Sequence, residues 1–362
     1  MAAKYRVGIV GATGMVGQRF VSLLQGHPWF EVTALAASSR SAGKPYREAV
    51  GDRWAFDWEI PANVEDMVVL DAANVEEVGK LVDFVFCAVD MKKDEIRALE
   101  ERYARHEIPV VSNNSACRGL PDVPMVVPEI NAAHTAVIPT QRQRLGCKRG
   151  FIAVKPNCSI QSYVPALTPL MDFGVEKVSV CTYQAISGAG KTFRTWPEMV
   201  DNVIPYIGGE DEKSENEPLK LWGRVENGLI VNAEKPVISA QCLRVAASDG
   251  HMAAVSVSFR DKPTKEQILA RWANYETEAQ RLALPSAPKP FLQYFDDPTR
   301  PQTRLDRDFQ GGFGVSIGRL REDKIFDYRF VCLSHNTVRG AAGGGILTAE
   351  LLCRQGYIAP RD

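Results

Sequence analysis

No stretch of this 362-residue sequence offers the roughly 18 uninterrupted apolar residues that a bilayer-spanning helix needs. An excess of either charge is missing too: 43 Lys and Arg stand against 44 Asp and Glu, a formal net charge of −1, which gives no reason to expect nucleic acid or an anionic membrane as partner. The eight cysteines (Cys87, Cys117, Cys147, Cys158, Cys181, Cys242, Cys332, Cys353) contain no C-x-x-C pair, which argues against a zinc ribbon and a disulfide framework. Cys332 and His335 have C-x-x-H spacing without a second ligand pair, so no metal is expected. The first residues, Met1 to Arg6, lack the h-region of a signal peptide, and no internal repeat or low-complexity tract occurs; a cytoplasmic setting is expected. What remains is the composition of an ordinary globular protein, 45% apolar and 24% charged, long enough for two domains.

The first domain reads as a dinucleotide cradle. An apolar strand, Tyr5 to Val10, runs into Gly11-Ala12-Thr13-Gly14-Met15-Val16-Gly17, and Val16, Phe20, Leu23 and Leu24 then recur at helical spacing. Strand, glycine turn and helix are the context that a G-x-x-G-x-x-G string needs to act as a Rossmann-type fingerprint, with the helix N-terminus facing a pyrophosphate. Further strands at 32–36, 68–70, 84–88 and 110–112, alternating with helical stretches such as Lys93 to His106, predict a doubly wound parallel sheet. An NAD site usually carries an acidic residue after the second strand. This chain has Ser38-Ser39-Arg40-Ser41 and Lys44 there, which suit the 2′-phosphate of NADP. The polar run Ser112 to Arg118 follows the 110–112 strand at its carboxyl end, where such sheets bind ligands.

Cys158 closes the run Phe151-Ile152-Ala153-Val154-Lys155-Pro156-Asn157-Cys158, a short strand and a turn ahead of residues 159–171, whose apolar spacing is helix-like. A thiol at a helix N-terminus is expected to ionise below its ordinary pKa of about 8.5 and to serve as a nucleophile. Beyond it, longer strands at 178–184, 237–245, 251–259 and 324–333 predict a mixed or antiparallel sheet flanked by helices. The charge-dense stretch 207–215 reads as a solvated loop, and 263–292 as a helix with a Pro-interrupted connector.

Six motifs then fall in register: Gly11–Gly17, Pro156-Asn157-Cys158-Ser159, Gln184-Ala185-Ile186-Ser187-Gly188-Ala189-Gly190, Gly208-Gly209-Glu210, Arg244-Val245 with Asp249-Gly250-His251, and Asn336-Thr337-Val338-Arg339-Gly340. Together they resemble the aspartate-β-semialdehyde dehydrogenases, most of all the archaeal and fungal-type branch, from Val7 to about Leu352. The resemblance implies NADPH-dependent reductive dephosphorylation of L-aspartyl 4-phosphate, a step toward lysine, threonine and methionine. It implies Cys158 as acyl-accepting nucleophile, His251 as acid/base, and Gln184, Glu210 and Arg244 as substrate ligands. Arg118, Lys213 and Asn114 would hold phosphate. Gly11, Thr13, Gly14, Met15, Val16, Ser38, Ser39, Arg40 and Ser41 would hold NADP, with Ser187, Gly188 and Asn336 along the nicotinamide. Residues 1–155 plus 336–362 would form the Rossmann domain, and 156–335 an α+β catalytic and dimerisation domain of a homodimer or homotetramer. Ala246-Ala247-Ser248 departs from the family's usual residues before Asp-Gly-His. Two other readings keep the fold: a malonyl-CoA reductase-like acyl-CoA reductase, and a non-catalytic NADP-binding protein.

Overall fold

The computed structural model describes residues 4–361; the expected domain ranges also include Met1–Ala3 and Asp362, which lie outside the described residues. The first half builds a six-stranded, all-parallel sheet from β1 (Tyr5–Val10), β2 (Phe30–Ala37), β3 (Leu70–Asp71), β4 (Phe84–Cys87), β5 (Val110–Ser112) and β6 (Ile152–Val154), in the order β3-β2-β1-β4-β5-β6. β4, β5 and β6 are buried along their whole length, as parallel strands covered on both faces must be. Helices α1 (Met15–Leu23), α2 (Val75–Leu81) and α3 (Lys93–Arg105) make the crossovers. The strand order reverses between β1 and β4, so a crevice opens outside their carboxyl ends.

The second half forms a seven-stranded mixed sheet from β7 (Val175–Gln184), β8 (Val203–Ile204), β11 (Val237–Val245), β12 (His251–Phe259), β13 (Leu292–Phe295), β14 (Val315–Glu322) and β15 (Tyr328–Ser334). A separate hairpin, β9 (Arg224–Glu226) and β10 (Leu229–Val231), stands outside it. The order is β13-β14-β15-β12-β7-β11-β8. β7 and β11 run parallel with Gln184 opposite Arg244, while β12 runs antiparallel to β7. The carboxyl ends of β7 and β11 therefore share one edge with the amino end of β12, and Gln184, Arg244 and His251 meet there although far apart in sequence. β7 and β12 alternate buried and more exposed residues, so one face of this sheet covers the core and the other, with Tyr183 and Val237 exposed, does not.

Three expectations are corrected. Residues 207–215 are not a loop: Glu210–Leu221 forms helix α4. Glu210, Asp211 and Glu212 in its first turn suit the positive end of the helix dipole. Pro218 lacks the N–H that would bond the Ser214 carbonyl, which instead accepts from the Tyr163 hydroxyl at 2.6 Å. Second, 159–171 is no single helix. It breaks into short turns, Ser159–Gln161, Val164–Leu167 and Thr168–Phe173, with Pro165 and Pro169 near the starts of the last two. Third, β13 and β14 are strands that the alternation did not announce, and the last strand begins at Tyr328, not Lys324. The chain finally returns to the first sheet through α5 (Gly343–Arg354), whose Ile346, Ala349 and Leu352 pack in one cluster with Val7, Ile9 and Phe20.

Candidate active site

Cys158 lies just past β6, where the first sheet faces the edge of the second. Its Sγ is 3.5 Å from His251 Nε2 and 3.4 Å from Asn157 Oδ1. A Cβ on Gly340 would fall 2.8 Å from Cys158 Cβ, so the Asn-Thr-Val-Arg-Gly segment abuts the nucleophile where it does only because residue 340 has no side chain. The expected helix N-terminus is a three-residue turn with Cys158 as its N-cap, too short for an appreciable dipole. Burial pushes the thiol pKa up and Glu210 adds to the rise; the charges of Lys155, Arg118 and Arg244 pull the other way. Thiolate formation here depends on neighbouring cations, not on a helix.

His251 is fully buried, and its imidazole is pressed down to a pKa of about 3 by burial, with Arg244 and His335 adding to the effect. The ring is therefore neutral at physiological pH. Its Nδ1 accepts the Ala185 N–H at 3.1 Å. A neutral ring that accepts at Nδ1 carries its proton on Nε2, the nitrogen facing the sulfur. In this arrangement His251 offers its Nε2–H toward the Cys158 sulfur.

Around this pair the substrate-binding candidates are fixed from behind. Arg244 Nη1 donates to the Ala185 carbonyl at 2.8 Å, and Gly188 admits both Arg244 and His251, since a Cβ there would lie 2.8 Å from Nη1 and 3.0 Å from Nε2. Glu210 Oε1 accepts from Lys213 at 2.7 Å, and Oε2 from Asn157 Nδ2 at 2.8 Å and Gln184 Nε2 at 3.3 Å. Burial works against its charge, but the bonds from Lys213 and Asn157 prevail and hold Glu210 below the ordinary glutamate pKa. It stands as a carboxylate. Lys213, expected as a phosphate ligand, forms its ion pair with this carboxylate.

Arg118 Nη1 donates to Glu217 Oε1 at 2.9 Å and Nη2 to the Asn113 carbonyl at 3.0 Å, while its Nε finds no partner among the described residues. Arg118 and Lys213 line one cavity of about 600 Å³ with Lys93, Ser115 and Glu217, beside the Cys158–His251 pair but not containing it. Asn114, the third expected phosphate ligand, turns away: its Nδ2 goes to Glu100 Oε1 at 3.0 Å and Cys87 Sγ at 3.4 Å, inside the first domain. Its neighbour Asn113 has a buried side-chain amide with no hydrogen-bond partner among the described residues.

At the crevice end, Gly11 has φ +93° and a Cβ there would lie 2.3 Å from the Ala88 carbonyl oxygen; at Gly17 it would lie 2.2 Å from the Gly11 oxygen. α1 starts at an extended Gly14, so the N–H groups of its first turn are not satisfied by an N-cap side chain. Thr13, Met15 and Val16 are half-buried on this turn. Ser38, Ser39 and Arg40 are exposed beyond β2, whereas Ser41 is buried. Asn336 Nδ2 donates to Ser187 Oγ at 2.8 Å and Oδ1 accepts the Gly250 N–H at 2.7 Å, tying these residues to the start of β12. These features fit a dinucleotide lying from α1 toward Ser187.

Residues 6–138 match the model described as semialdehyde dehydrogenase, NAD binding domain, and residues 167–339 that described as semialdehyde dehydrogenase, dimerisation domain. The aspartate-semialdehyde dehydrogenase of Schizosaccharomyces pombe is 45% identical over 365 residues, covering 99% of this chain and 100% of its own; that of Methanothermobacter thermautotrophicus is 44% identical, covering 96% and 98%. The chain belongs to the aspartate-semialdehyde dehydrogenase family. The solved structure of the Candida albicans family member with NADP superposes with TM-score 0.89 at 40% identity, covering 98% of this chain and 100% of its own. The second enzyme of Vibrio cholerae follows at TM-score 0.73 and 26% identity, covering 97% and 99%.

Two site residues of this family member escaped the sequence reading. Glu217 bridges Arg118 and the nucleophile turn, accepting the Asn157 N–H at 2.6 Å on its second oxygen. The signal was the spacing Glu210, Lys213, Glu217, one helical face, hidden by reading the segment as a loop. Lys155, buried just before the Pro-Asn-Cys turn, is the other.

Proposed function

We propose that this chain catalyses the NADPH-dependent reductive dephosphorylation of L-aspartyl 4-phosphate to L-aspartate 4-semialdehyde and phosphate, through a thioester on Cys158. The carrying observation is the Cys158–His251 approach at 3.5 Å, ringed by Arg244, Gln184 and an ionised Glu210, in a member of this family. The Cys158 thiolate attacks the acyl carbon, the carbon–oxygen bond to phosphate breaks, and the acyl group stays on sulfur. NADPH, when bound, supplies the hydride that takes the thioester to the aldehyde level. His251 donates from Nε2, first toward the thiolate and then to the oxyanion that develops on the acyl oxygen. Arg244 meets the α-carboxylate with a planar fork that lysine lacks, Gln184 steadies the substrate, and Glu210 receives the α-ammonium. The phosphate is taken by Arg118, with Lys213 moving from Glu210 as the ammonium replaces it. A carboxylate at Glu210 suits an amino-bearing substrate and not a malonyl thioester.

The cofactor lies along Gly11, Thr13, Gly14, Met15 and Val16, with Ser38, Ser39 and Arg40 at the 2′-phosphate and Ser187, Gly188 and Asn336 at the nicotinamide end. Residues 1–155 with 336–362 serve as the nucleotide domain, supported by the packing of α5 on the first sheet. Residues 156–335 serve as the catalytic and dimerisation domain of a homodimer or homotetramer, supported by the exposed face of the second sheet. The eight unpaired cysteines suit the cytoplasm, where the product feeds lysine, threonine and methionine synthesis. The test is interception of the thioester: with NADP and aspartate semialdehyde but no phosphate, the Cys158 peptide is expected to gain an aspartyl group by mass spectrometry. Acylation elsewhere, or at Cys158 with equal yield from a CoA thioester, would overturn the reading.

A further inference from the structure

The face of α4 that reaches the site does not end at Glu217. One further helical step brings Lys220, so Glu210, Lys213, Glu217 and Lys220 follow one another along a single face with charges alternating in sign. Glu210 and Lys213 pair with each other, and Glu217 holds the guanidinium of Arg118. Lys220 takes hold of the same arginine by its backbone. Its Nζ donates to the Arg118 carbonyl at 2.6 Å, to the Leu120 carbonyl at 2.6 Å and to the Val123 carbonyl at 3.0 Å. An ammonium has three protons, and three acceptors stand around this one. Lys220 is 5% exposed and lines the same cavity of about 600 Å³ as Arg118 and Lys213. Burial lowers its pKa to about 8 against the opposing charges of Asp122 and Glu217, so it is an ammonium at neutral pH.

Residues 118–123 lie between β5 and β6 and belong to neither helix nor strand. Three carbonyl dipoles converging on one point repel one another unless a cation stands between them. We propose that Lys220 is a positioning residue for the phosphate end of the reaction: by drawing these carbonyls together it fixes the turn that carries Arg118, and with Glu217 it sets where the guanidinium meets phosphate. Each proton of its ammonium is placed on a carbonyl, so none is left over for phosphate. Lys220 therefore acts through Arg118 and is not itself a ligand, although a lysine on the wall of this cavity would ordinarily be read as one. The inference rests on the proposed reading of Arg118 as phosphate ligand and adds the residue that gives that ligand its place.

The experiment measures phosphate-dependent reduction of NADP with aspartate semialdehyde by the parent chain and by Lys220→Met, of similar length and without donors. The phosphate KM is expected to rise about tenfold, while kcat at saturating phosphate and the KM values for aspartate semialdehyde and NADP stay within about twofold. An unchanged phosphate KM would overturn the proposal, and so would a uniform loss across all parameters, the mark of general damage to the fold. A second measurement depends neither on that variant nor on turnover: acetylation of Lys220 by acetic anhydride in the parent chain, read on its peptide with and without inorganic phosphate. Phosphate held by Arg118 steadies the turn and, by linkage, the bonds of Lys220, so acetylation is expected to slow about threefold or more. A rate that ignores phosphate would overturn the proposal. Arg118→Gln should remove the slowing; slowing that persists there would make Lys220 itself the ligand, and the proposal would fall. Slowing by phosphate in a parent chain that turns over no aspartate semialdehyde would sink the aspartyl phosphate reading and leave Lys220 in its role.

Discussion

Replacing Glu217 by Gln keeps the shape of the side chain and removes the one feature its position uses, two acceptor oxygens on a charged group. In the parent chain Oε1 takes Arg118 at 2.9 Å and Oε2 takes the Asn157 N–H at 2.6 Å, and both members of the ion pair have side chains only 11% exposed. The glutamine offers one oxygen and one NH₂, so a donor must face a donor on one side. A hydrogen bond to a charged group contributes roughly 1.5–3 kcal/mol, and breaking a buried pair from one end costs about 3–5 kcal/mol. The 11% exposure places this pair at the lower end, at about 3 kcal/mol. With a urea slope of about 3 kcal/mol per M, the unfolding midpoint of Glu217→Gln should drop by about 1 M at unchanged slope. The bond to Asn157 lies one residue from the nucleophile, so kcat should fall about tenfold or more, which needs only about 1.4 kcal/mol of that loss to appear as misplacement of Cys158. The assay is urea unfolding followed by fluorescence, paired with steady-state rates. A midpoint within about 0.2 M of the parent and an unchanged kcat would refute the view of Glu217 as the tie between Arg118 and the nucleophile turn.

Two further outcomes can be checked. Arg40→Ala should narrow the preference for NADP over NAD, read as the ratio of kcat/KM values, by about tenfold or more for loss of a guanidinium–phosphate contact; an unchanged ratio would remove Arg40 from the 2′-phosphate site. His251 gives a pH effect on stability. Its pKa falls from 6.5 to about 3 on folding, chiefly through burial, so between those values the unfolded chain binds a proton that the folded chain refuses. Stability is lost as pH falls through that window, by roughly 2–3 kcal/mol at a pH two units below the unfolded value. His251→Gln should lack this component, and parallel stability–pH curves for the two proteins would contradict it.

The first domain was legible because its signals are local: a buried strand, a glycine turn and a helix stand in sequence, and β1, β2, β4 and β5 match the apolar runs read from the chain. The C-terminal site was legible only through motifs in register, since Gln184, Arg244 and His251 meet through the pairing of β7, β11 and β12, which no local pattern encodes. What escaped was side-chain direction and competition between local readings. Charge density concealed α4 and with it Glu217. Two adjacent amides, Asn113 and Asn114, are indistinguishable until the fold commits Asn114 to Glu100. The expected thiol activation by a helix failed because residues 159–171 break into turns, and the cations that act instead arrive from three separate segments.

The most direct test of the account is phosphate-dependent reduction of NADP by the purified chain, comparing L-aspartate 4-semialdehyde with malonate semialdehyde plus CoA. The account predicts turnover with aspartate semialdehyde and phosphate, abolished in Cys158→Ala. Turnover only with the CoA pair, or undiminished turnover in Cys158→Ala, would contradict it.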